Sequence, residues 1–419
     1  MTNLYQATAE PAVPTPALDG DAQADVAIIG AGITGLSTAL HLAEQGVKAV
    51  VLEAEQPGWG ASGRNGGQVN PGLKHDPDAV ERTYGADLGG RMNALAGAAP
   101  AYVFDVIRRY GIRCEARRNG TLRAAKRSLH AAQVRRTAAQ FVRRGAPVEL
   151  LEGSTLEQAT GTSRYQVAML DRRGGDLNPL SYVRGLVRAA QGAGAAVHGG
   201  TRALAVSRAG SSWRVRTAAG TVSAEQVVLA TNGYTDDLWP NLRRTIVPVF
   251  GAIAASDVLP DAVASAIVPC RAALYESGTV TVYYRVDAGG RLLIGGRGPQ
   301  REISDAAAIP HLTAYAQALW PALQARWTHA WGGRLAMTPD QYVHVHEPAA
   351  GVLVCLGYNG RGVAMATVMG AQLARRILDR SSPFDMPISD MKTIRLHAGW
   401  PLAVHAAVAY GRFRDFLGG

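Results

Sequence analysis

Gly30, Gly32 and Gly35 stand in the spacing G-x-G-x-x-G, and Glu53 follows them at the end of a second apolar run. Residues of these types suit a dinucleotide. Glycines let the backbone turn tightly and approach a pyrophosphate, the amides and dipole of a following helix face its negative charge, and a carboxylate accepts the ribose hydroxyls. A second glycine-rich loop, Gly58-Trp59-Gly60-Ala61-Ser62-Gly63-Arg64-Asn65-Gly66-Gly67-Gln68, comes directly after Glu53, where a nicotinamide-dinucleotide domain needs none. Two further segments carry the same character: Val227 to Gly233, ending Ala-Thr-Asn-Gly, and Gly357-Tyr358-Asn359-Gly360-Arg361-Gly362. Candidates for handling a substrate are Tyr283, Tyr284, Arg285 and Arg297 on strand-like segments, with Arg64 and Arg334 approaching from the other side. An arginine can clamp a carboxylate through two parallel hydrogen bonds. His344 and His346 alternate like a metal pair, but no carboxylate or cysteine cluster accompanies them, so no metal is expected.

The elements that position these residues follow from periodicity. Asp25 onward reads as strand, glycine turn and helix, and Val47 to Leu52 closes a parallel unit with a right-handed crossover. Helices are expected over Ala79 to Gly111, Ser128 to Arg144 with Ser128 as a cap, Leu180 to Gln191 and Val363 to Leu378. Strands are expected at Ala195 to His198, in a hairpin-like pair ending at Val227 to Ala230, and at Gly351 to Leu356. Ile246 to Gly296 alternates as strands, including Val280 to Val286 and Arg291 to Ile294 about the turn Asp287 to Gly290. The expected class is α/β: a Rossmann-type nucleotide-binding domain with a parallel sheet, interleaved with a substrate domain containing a mixed or antiparallel sheet. Residues 1–24 read as an extended arm. Residues 25–78, 165–245 and 330–380 are expected in the nucleotide domain, 79–164 and 246–329 in the substrate domain with its helical segments, and 381–419 as a tail.

Composition narrows the partners. Of 419 residues 47% are hydrophobic and 18% charged, enough apolar material for a large core. The formal charge of +10 is spread over scattered arginine pairs such as Arg108-Arg109, and only 6% of residues are aromatic. A nucleic-acid surface would need a basic stripe with interleaved aromatics, so no nucleic-acid partner is expected. Cys114, Cys270 and Cys355 show neither disulfide nor metal spacing, the N-terminus lacks the pattern of a signal peptide, and no run is long enough for an integral membrane segment. A cytoplasmic location fits this pattern.

Taken together, the four glycine motifs resemble the D-amino-acid oxidase-like family of FAD-dependent oxidoreductases, and within it the gamma-glutamylputrescine oxidase branch. That branch is similar in its N-terminal arm, the Ser-Gly-Arg-Asn-Gly-Gly-Gln loop, the Ala-Thr-Asn-Gly-Tyr segment and the Gly-Gly-Arg at Gly295, from about Leu4 to the C-terminus. The resemblance implies that Gly30, Gly32, Gly35 and Glu53 hold the ADP half of FAD, and that Ala61, Ser62, Arg64, Asn65, Gly66, Gly67 and Gln68 run along the pyrophosphate and flavin. It further implies backbone contacts from Ala203 to adenine, support beside the nucleotide from Thr231, Asn232 and Gly233, and donors from Gly360, Arg361, Gly362 and Val363 at the pyrimidine end of the flavin. Arg361 stands where the family often has histidine. The positions used elsewhere in the family for covalent attachment fall near Gly333 and Gly60, so FAD is expected to be non-covalent.

The implied activity is oxidation of the C–N bond of a small amine or amino acid by hydride transfer to flavin, giving an imine that is hydrolysed. Tyr283, Arg297, Arg64 and Arg334 are its candidate site residues, and an arginine there would select a carboxylate. Gamma-glutamylputrescine is the nearest analogy for the substrate, with L-pipecolate or an N-methyl amino acid as alternatives. An RNA-modifying flavoprotein is the alternative of another class. Leu293 replaces the lysine that promotes oxygen reaction in sarcosine-oxidase relatives, which leaves O2 and a quinone or other carrier both open as electron acceptor.

Overall fold

The computed structural model describes residues 3–278 and 281–417. It contains two eight-stranded sheets and a two-stranded pair. In the first sheet His344–Ala349, Val352–Leu356, Thr221–Leu229, Ala22–Ile29, Ala49–Leu52 and Ala196–His198 lie side by side. All neighbours in that path are parallel except the first two. Parallel strands covered on both faces should be apolar throughout, and Val26 to Ile29 are indeed buried without alternation. One face is covered by the helices Ile33–Ala43, Ala86–Arg109, Pro179–Gly192 and Gly362–Leu378, which share a single apolar core. Trp213, Val215 and Leu18 pack on the other.

The second sheet runs Trp327–Met337, Val247–Val258, Arg291–Arg297, Tyr283–Val286, Ala273–Glu276, Thr121–Ala125, Val167–Asp171 and Val148–Leu151. Every neighbouring pair is antiparallel except Ala273–Glu276 with Thr121–Ala125. The α/β class with one mainly parallel and one mainly antiparallel sheet is therefore as the sequence implied. Register carries a row of residues straight across six strands, in the order Trp331, Ile253, Gly295, Tyr283, Tyr275 and Arg123. A Cβ on Gly295 would lie 2.3 Å from the Tyr283 ring, and one on Gly66 would lie 2.6 Å from it. Both glycines make room for that ring between sheet and loop.

Several boundaries differ from expectation. Val167–Asp171 and Trp327–Met337 pair within the second sheet, although 165–245 and 330–380 were expected wholly in the first domain. Helices Pro77–Tyr84 and Ala86–Arg109, expected on the substrate side, bury Val80, Met92, Ala96 and Val103 in the core of the first sheet. Short apolar strands and amphipathic helices suit either core, and only tertiary pairing assigns them. The arm is not simply extended: Leu4–Thr8 is helical, and Leu4 and Tyr5 are buried with Leu180, Ile253, Leu293 and Trp331. The tail contains the helix Trp400–Leu417. Ser128 is the first residue of its helix rather than the cap, and its hydroxyl reaches Gln166 instead. Val280 lies outside the described residues, and the strand expected there runs Tyr283–Val286.

Candidate active site

Between the two sheets lies a cavity of about 1050 Å³, whose walls carry most of the residues singled out in the sequence. At its nucleotide end Gly30 has φ +105°, and a Cβ there would come within 2.9 Å of the Ala230 carbonyl. A Cβ on Gly35 would meet the Gly30 carbonyl at 2.0 Å. The helix start can approach the strand only without these side chains. Ser62 Oγ accepts from the Ile33 amide at 3.0 Å, which places the second glycine loop over the N-terminus of Ile33–Ala43. Glu53 is held by the Ala31 amide at 2.8 Å and the Glu55 amide at 3.0 Å, and burial raises its carboxyl above the usual range. Ala203, Thr231 and Asn232 line the same end.

The loop from Ala61 to Gln68 is braced by its own side chains. Asn65 Nδ2 donates to the Ser62 carbonyl at 2.9 Å, and Asn65 Oδ1 accepts from the Gly67 amide at 2.8 Å. Gln68 Nε2 donates to the Leu274 carbonyl at 2.9 Å, tying the loop to the second sheet. Arg64 Nε donates to the Trp59 carbonyl at 2.7 Å, and its Nη1 donates to Glu302 at 3.0 Å and to the Gly332 carbonyl at 3.3 Å. Most of its donors are thus occupied by protein. Ala61, Ser62, Gly66 and Gln68 face the cavity, whereas Gly67 does not. With φ +72°, a Cβ on Gly67 would meet the Leu177 carbonyl at 2.2 Å.

Opposite, Gly360, Arg361, Gly362 and Val363 line the cavity where the helix Gly362–Leu378 begins. Asn359 has φ +50° and its amide side chain receives the Thr338 amide at 3.0 Å, which fixes the turn. Arg361 Nη2 donates to Tyr275 Oη at 3.0 Å, and its Nη1 is buried with no partner among the described residues. Gly233 and Gly35 pack behind the walls: a Cβ on Gly233 would lie 2.5 Å from the Arg334 carbonyl.

Of the six substrate candidates, Tyr283, Arg297, Arg64 and Arg334 line the cavity and two do not. Tyr284 alternates to the far side of its strand, where it bonds to Tyr165 at 2.6 Å and packs against Trp320. Arg285 is buried in an ion pair with Asp176 at 3.0 Å. The expectation that both face the flavin is corrected by the pleat and by this pair. Arg334 stacks on Tyr234 with 4.8 Å between guanidinium and ring centre. Arg297 has no ion pair among the described residues, and burial lowers its guanidinium from the ordinary value. His344 pairs with Asp340 at 2.9 Å and His346 with the Ser389 carbonyl at 2.7 Å.

Lys74, Tyr275 and Arg123 also line the cavity and were not singled out from the sequence. Lys74 is open to water within the cavity yet walled in by protein, and that enclosure, with Arg361, Arg123 and Arg297 nearby, pushes its ammonium down to about 8. A faint signal existed: it is one of four lysines in a chain whose positive charge is otherwise arginine, and it follows the second glycine loop closely.

A parallel sheet with a glycine cradle at its strand ends, joined through one cavity to a second sheet, defines a dinucleotide-dependent enzyme of the two-domain flavoprotein class. Comparison makes the family definite: residues 25–376 match the DAO family of FAD dependent oxidoreductases, and the chain belongs to it. It is 31% identical over 387 residues to the probable oxidoreductase OrdL of Rhizobium meliloti, covering 91% of this chain and 89% of that protein. It is 29% identical over 432 residues to the gamma-glutamylputrescine oxidoreductase of Escherichia coli, covering 100% and 99% respectively. Its fold is similar to that of glycine oxidase from Geobacillus kaustophilus, with a TM-score of 0.74 at 21% identity over 89% of this chain and 99% of that one. The residues present fit FAD: the cavity exceeds the usual size for a small ligand alone, and it ends in an unpartnered buried guanidinium nitrogen of Arg361. Among the described residues no helix is long and apolar enough to cross a membrane.

Proposed function

We propose that this chain oxidises the C–N bond of a small amine or amino acid, the α hydrogen and its two electrons passing as hydride to FAD, and the imine product being hydrolysed. The observation that carries this reading is the continuity of the cavity, from the glycine cradle to the in-register wall of Trp331, Ile253, Tyr283, Tyr275 and Arg123. FAD bound there supplies a two-electron acceptor. Gly30, Gly32, Glu53, Ser62 and Ala203 would hold its nucleotide half, and Gly66, Gln68 and Gly360 to Val363 its ring.

The protein's own part is to position the amine, desolvate it and remove its proton. Hydride departs from a neutral amine, and the cationic groups around the cavity disfavour the ammonium form of a bound substrate. Trp331, Ile253 and Tyr283 exclude water from one stretch of the wall. Arg297, with no ion pair among the described residues, is the candidate to fix a substrate carboxylate. The gamma-glutamylputrescine oxidoreductase among the relatives makes that compound the nearest analogue to try.

FAD is proposed to be non-covalent, since Gly60 and Gly333 offer no attachment group and none of the three cysteines lines the cavity. Yellow colour retained in acid-precipitated protein would refute this. The function itself is tested by mixing the FAD-loaded protein anaerobically with gamma-glutamylputrescine, L-pipecolate, N-methyl amino acids and simple amines. Bleaching of the flavin by one of them is expected; bleaching by dithionite but by no amine overturns the reading. The bleached enzyme, mixed with O2 or with a quinone, then shows which acceptor restores the colour.

A further inference from the structure

The row of residues across the second sheet changes character along its length. Trp331 and Ile253 are apolar, Tyr283 and Tyr275 are aromatic with polar tips, and Arg123 ends it. Arg297 is two residues beyond Gly295 on the same strand and therefore on the same face. The backbones of Arg297 and Arg123 are thus three strands apart, roughly 14 Å at about 4.8 Å per strand. Two cationic points face one cavity. Lys74 and Arg361 join Arg123 at its end of the row, where a small void of about 10 Å³, bounded by Pro71, Phe141 and Met169, holds at most one water. The corner is closed behind them.

Its charges are unevenly compensated. Arg123 has Asp76 at 3.4 Å, and Asp76 is shared with Thr137. Among the described residues the Arg361 guanidinium bonds to the Tyr275 hydroxyl and leaves Nη1 buried without a partner, and Lys74 has no ion pair. Glu276, the other carboxylate on this part of the wall, is engaged by Tyr165 and by Lys126 at 3.3 Å. His75 is taken up by the Asp340 carbonyl and the Tyr342 ring. His130 is the remaining titratable group lining this side of the cavity. Three cations converge on this corner with one carboxylate, Asp76, among them, and the one buried, unpartnered donor there among the described residues is Arg361 Nη1, so the corner calls for an anionic ligand.

Resting on the amine-oxidation reading of this cavity, we propose that Lys74, with Arg361 and Arg123, forms an anionic subsite at the Arg123 end of the row, and that it selects amine substrates bearing a carboxylate remote from the reacting nitrogen. Lys74 is the specificity-determining residue of that subsite. An acid-terminated chain would lie along the aromatic stretch of the row with its carboxylate at the closed corner. Arg297 is left for a second carboxylate near the amine, so amino dicarboxylates and acyl-linked amino acids with a free carboxylate belong to the same class.

The test is equilibrium binding, which needs no turnover. FAD-loaded protein is titrated with glutarate and with its uncharged diamide, followed by the flavin spectrum and by calorimetry. The wild type is expected to bind the acid at least about 10-fold more tightly than the diamide at pH 7. Anion binding favours the protonated ammonium, so acid affinity should be full below pH 8 and fall as pH rises through it, while diamide affinity stays level. Lys74→Met should lose roughly 10- to 100-fold for the acid and little for the diamide, with FAD content unchanged. Lys74→Arg should keep acid binding and abolish the fall above pH 8. Equal affinity of wild type for acid and diamide, or equal losses for both in Lys74→Met, overturns the subsite. Should Lys74→Met fail to hold FAD, the wild-type contrast and the Lys74→Arg pH profile decide alone. Acid binding by Lys74 with no amine ever bleaching the flavin would sink the proposed oxidation and leave the subsite standing.

Discussion

Arg361 Nη2 donates to Tyr275 Oη at 3.0 Å, with the guanidinium carbon 4.8 Å from the Tyr275 ring centre. The bond joins the start of a helix on the first sheet to a strand of the second across the cavity. A cation at a helix N-terminus is disfavoured by the dipole unless an anion comes to it. Tyr275 holds the side chain there regardless, by a hydrogen bond and by the face of its ring.

Negative charge arising near that guanidinium should therefore be stabilised. Arg361→Ala is expected to lower the midpoint potential of the bound flavin by about 30–60 mV, equivalent to roughly 1.4–2.8 kcal/mol for a two-electron couple. Tyr275→Phe, which keeps the ring and removes the hydroxyl, should lower it less. Redox titration against reference dyes measures both. An unchanged potential in Arg361→Ala would place the charge too far from the flavin to matter.

Gly32 is close enough to the second glycine loop that a Cβ would meet Ser62 Oγ at 2.9 Å. Gly32→Glu adds both bulk and a negative charge at the helix N-terminus expected to receive a pyrophosphate. The variant should purify colourless, with circular dichroism close to that of wild-type protein stripped of FAD. A wild-type ratio of 450 nm to 280 nm absorbance would show that the pyrophosphate lies elsewhere.

Those glycines were legible because each answers a local backbone demand, at Gly30 a positive φ and at Gly35 contact with the preceding turn. Glu53 was legible for the same reason, lying at a strand end in the same unit. Tyr284 and Arg285 were misplaced because neighbouring strand residues point to opposite faces, and because a buried arginine looks the same in sequence whether it meets a ligand or an aspartate far along the chain. Asp176 is 109 residues from Arg285. Lys74 carried only the faint mark of a rare lysine after a glycine loop, and nothing local marks Arg123; register alone brings Arg123 into line with Tyr275 and Tyr283. The burial of Leu4 and Tyr5 in the second-sheet junction is likewise set by partners such as Trp331, 5.1 Å from the Tyr5 ring.

Asp176 is fully buried and receives Arg285 at 3.0 Å and Arg117 at 2.8 Å. Removing its charge leaves Arg285, itself 3% exposed, without its carboxylate partner. Asp176→Asn should destabilise the fold by about 3–5 kcal/mol, the cost of breaking a buried pair from one side. Denaturant unfolding of the FAD-free protein reads this directly, without a contribution from cofactor binding. A loss below about 1 kcal/mol would mean that water reaches the pair.

Arg64 and Arg297 line the same cavity, but their donors differ in availability. Arg64 is spent on the Trp59 and Gly332 carbonyls and on Glu302, and lies 4.5 Å over the Trp59 ring. Arg297 has no carboxylate among the described residues. Arg64→Ala is therefore expected to loosen the glycine loop, lower FAD affinity, and weaken acidic and neutral substrates alike. Arg297→Ala should leave the flavin spectrum and FAD content nearly intact while costing about 2–5 kcal/mol of stabilisation for a substrate with a carboxylate near the amine. An amide analogue should feel little of that loss. Steady-state kcat/KM of both variants on a matched acid and amide pair separates the roles, because only a carboxylate-binding arginine distinguishes the two substrates. Equal losses for Arg297→Ala on acid and amide would remove that residue from substrate recognition, and an acid-specific loss for Arg64→Ala would transfer the role to it.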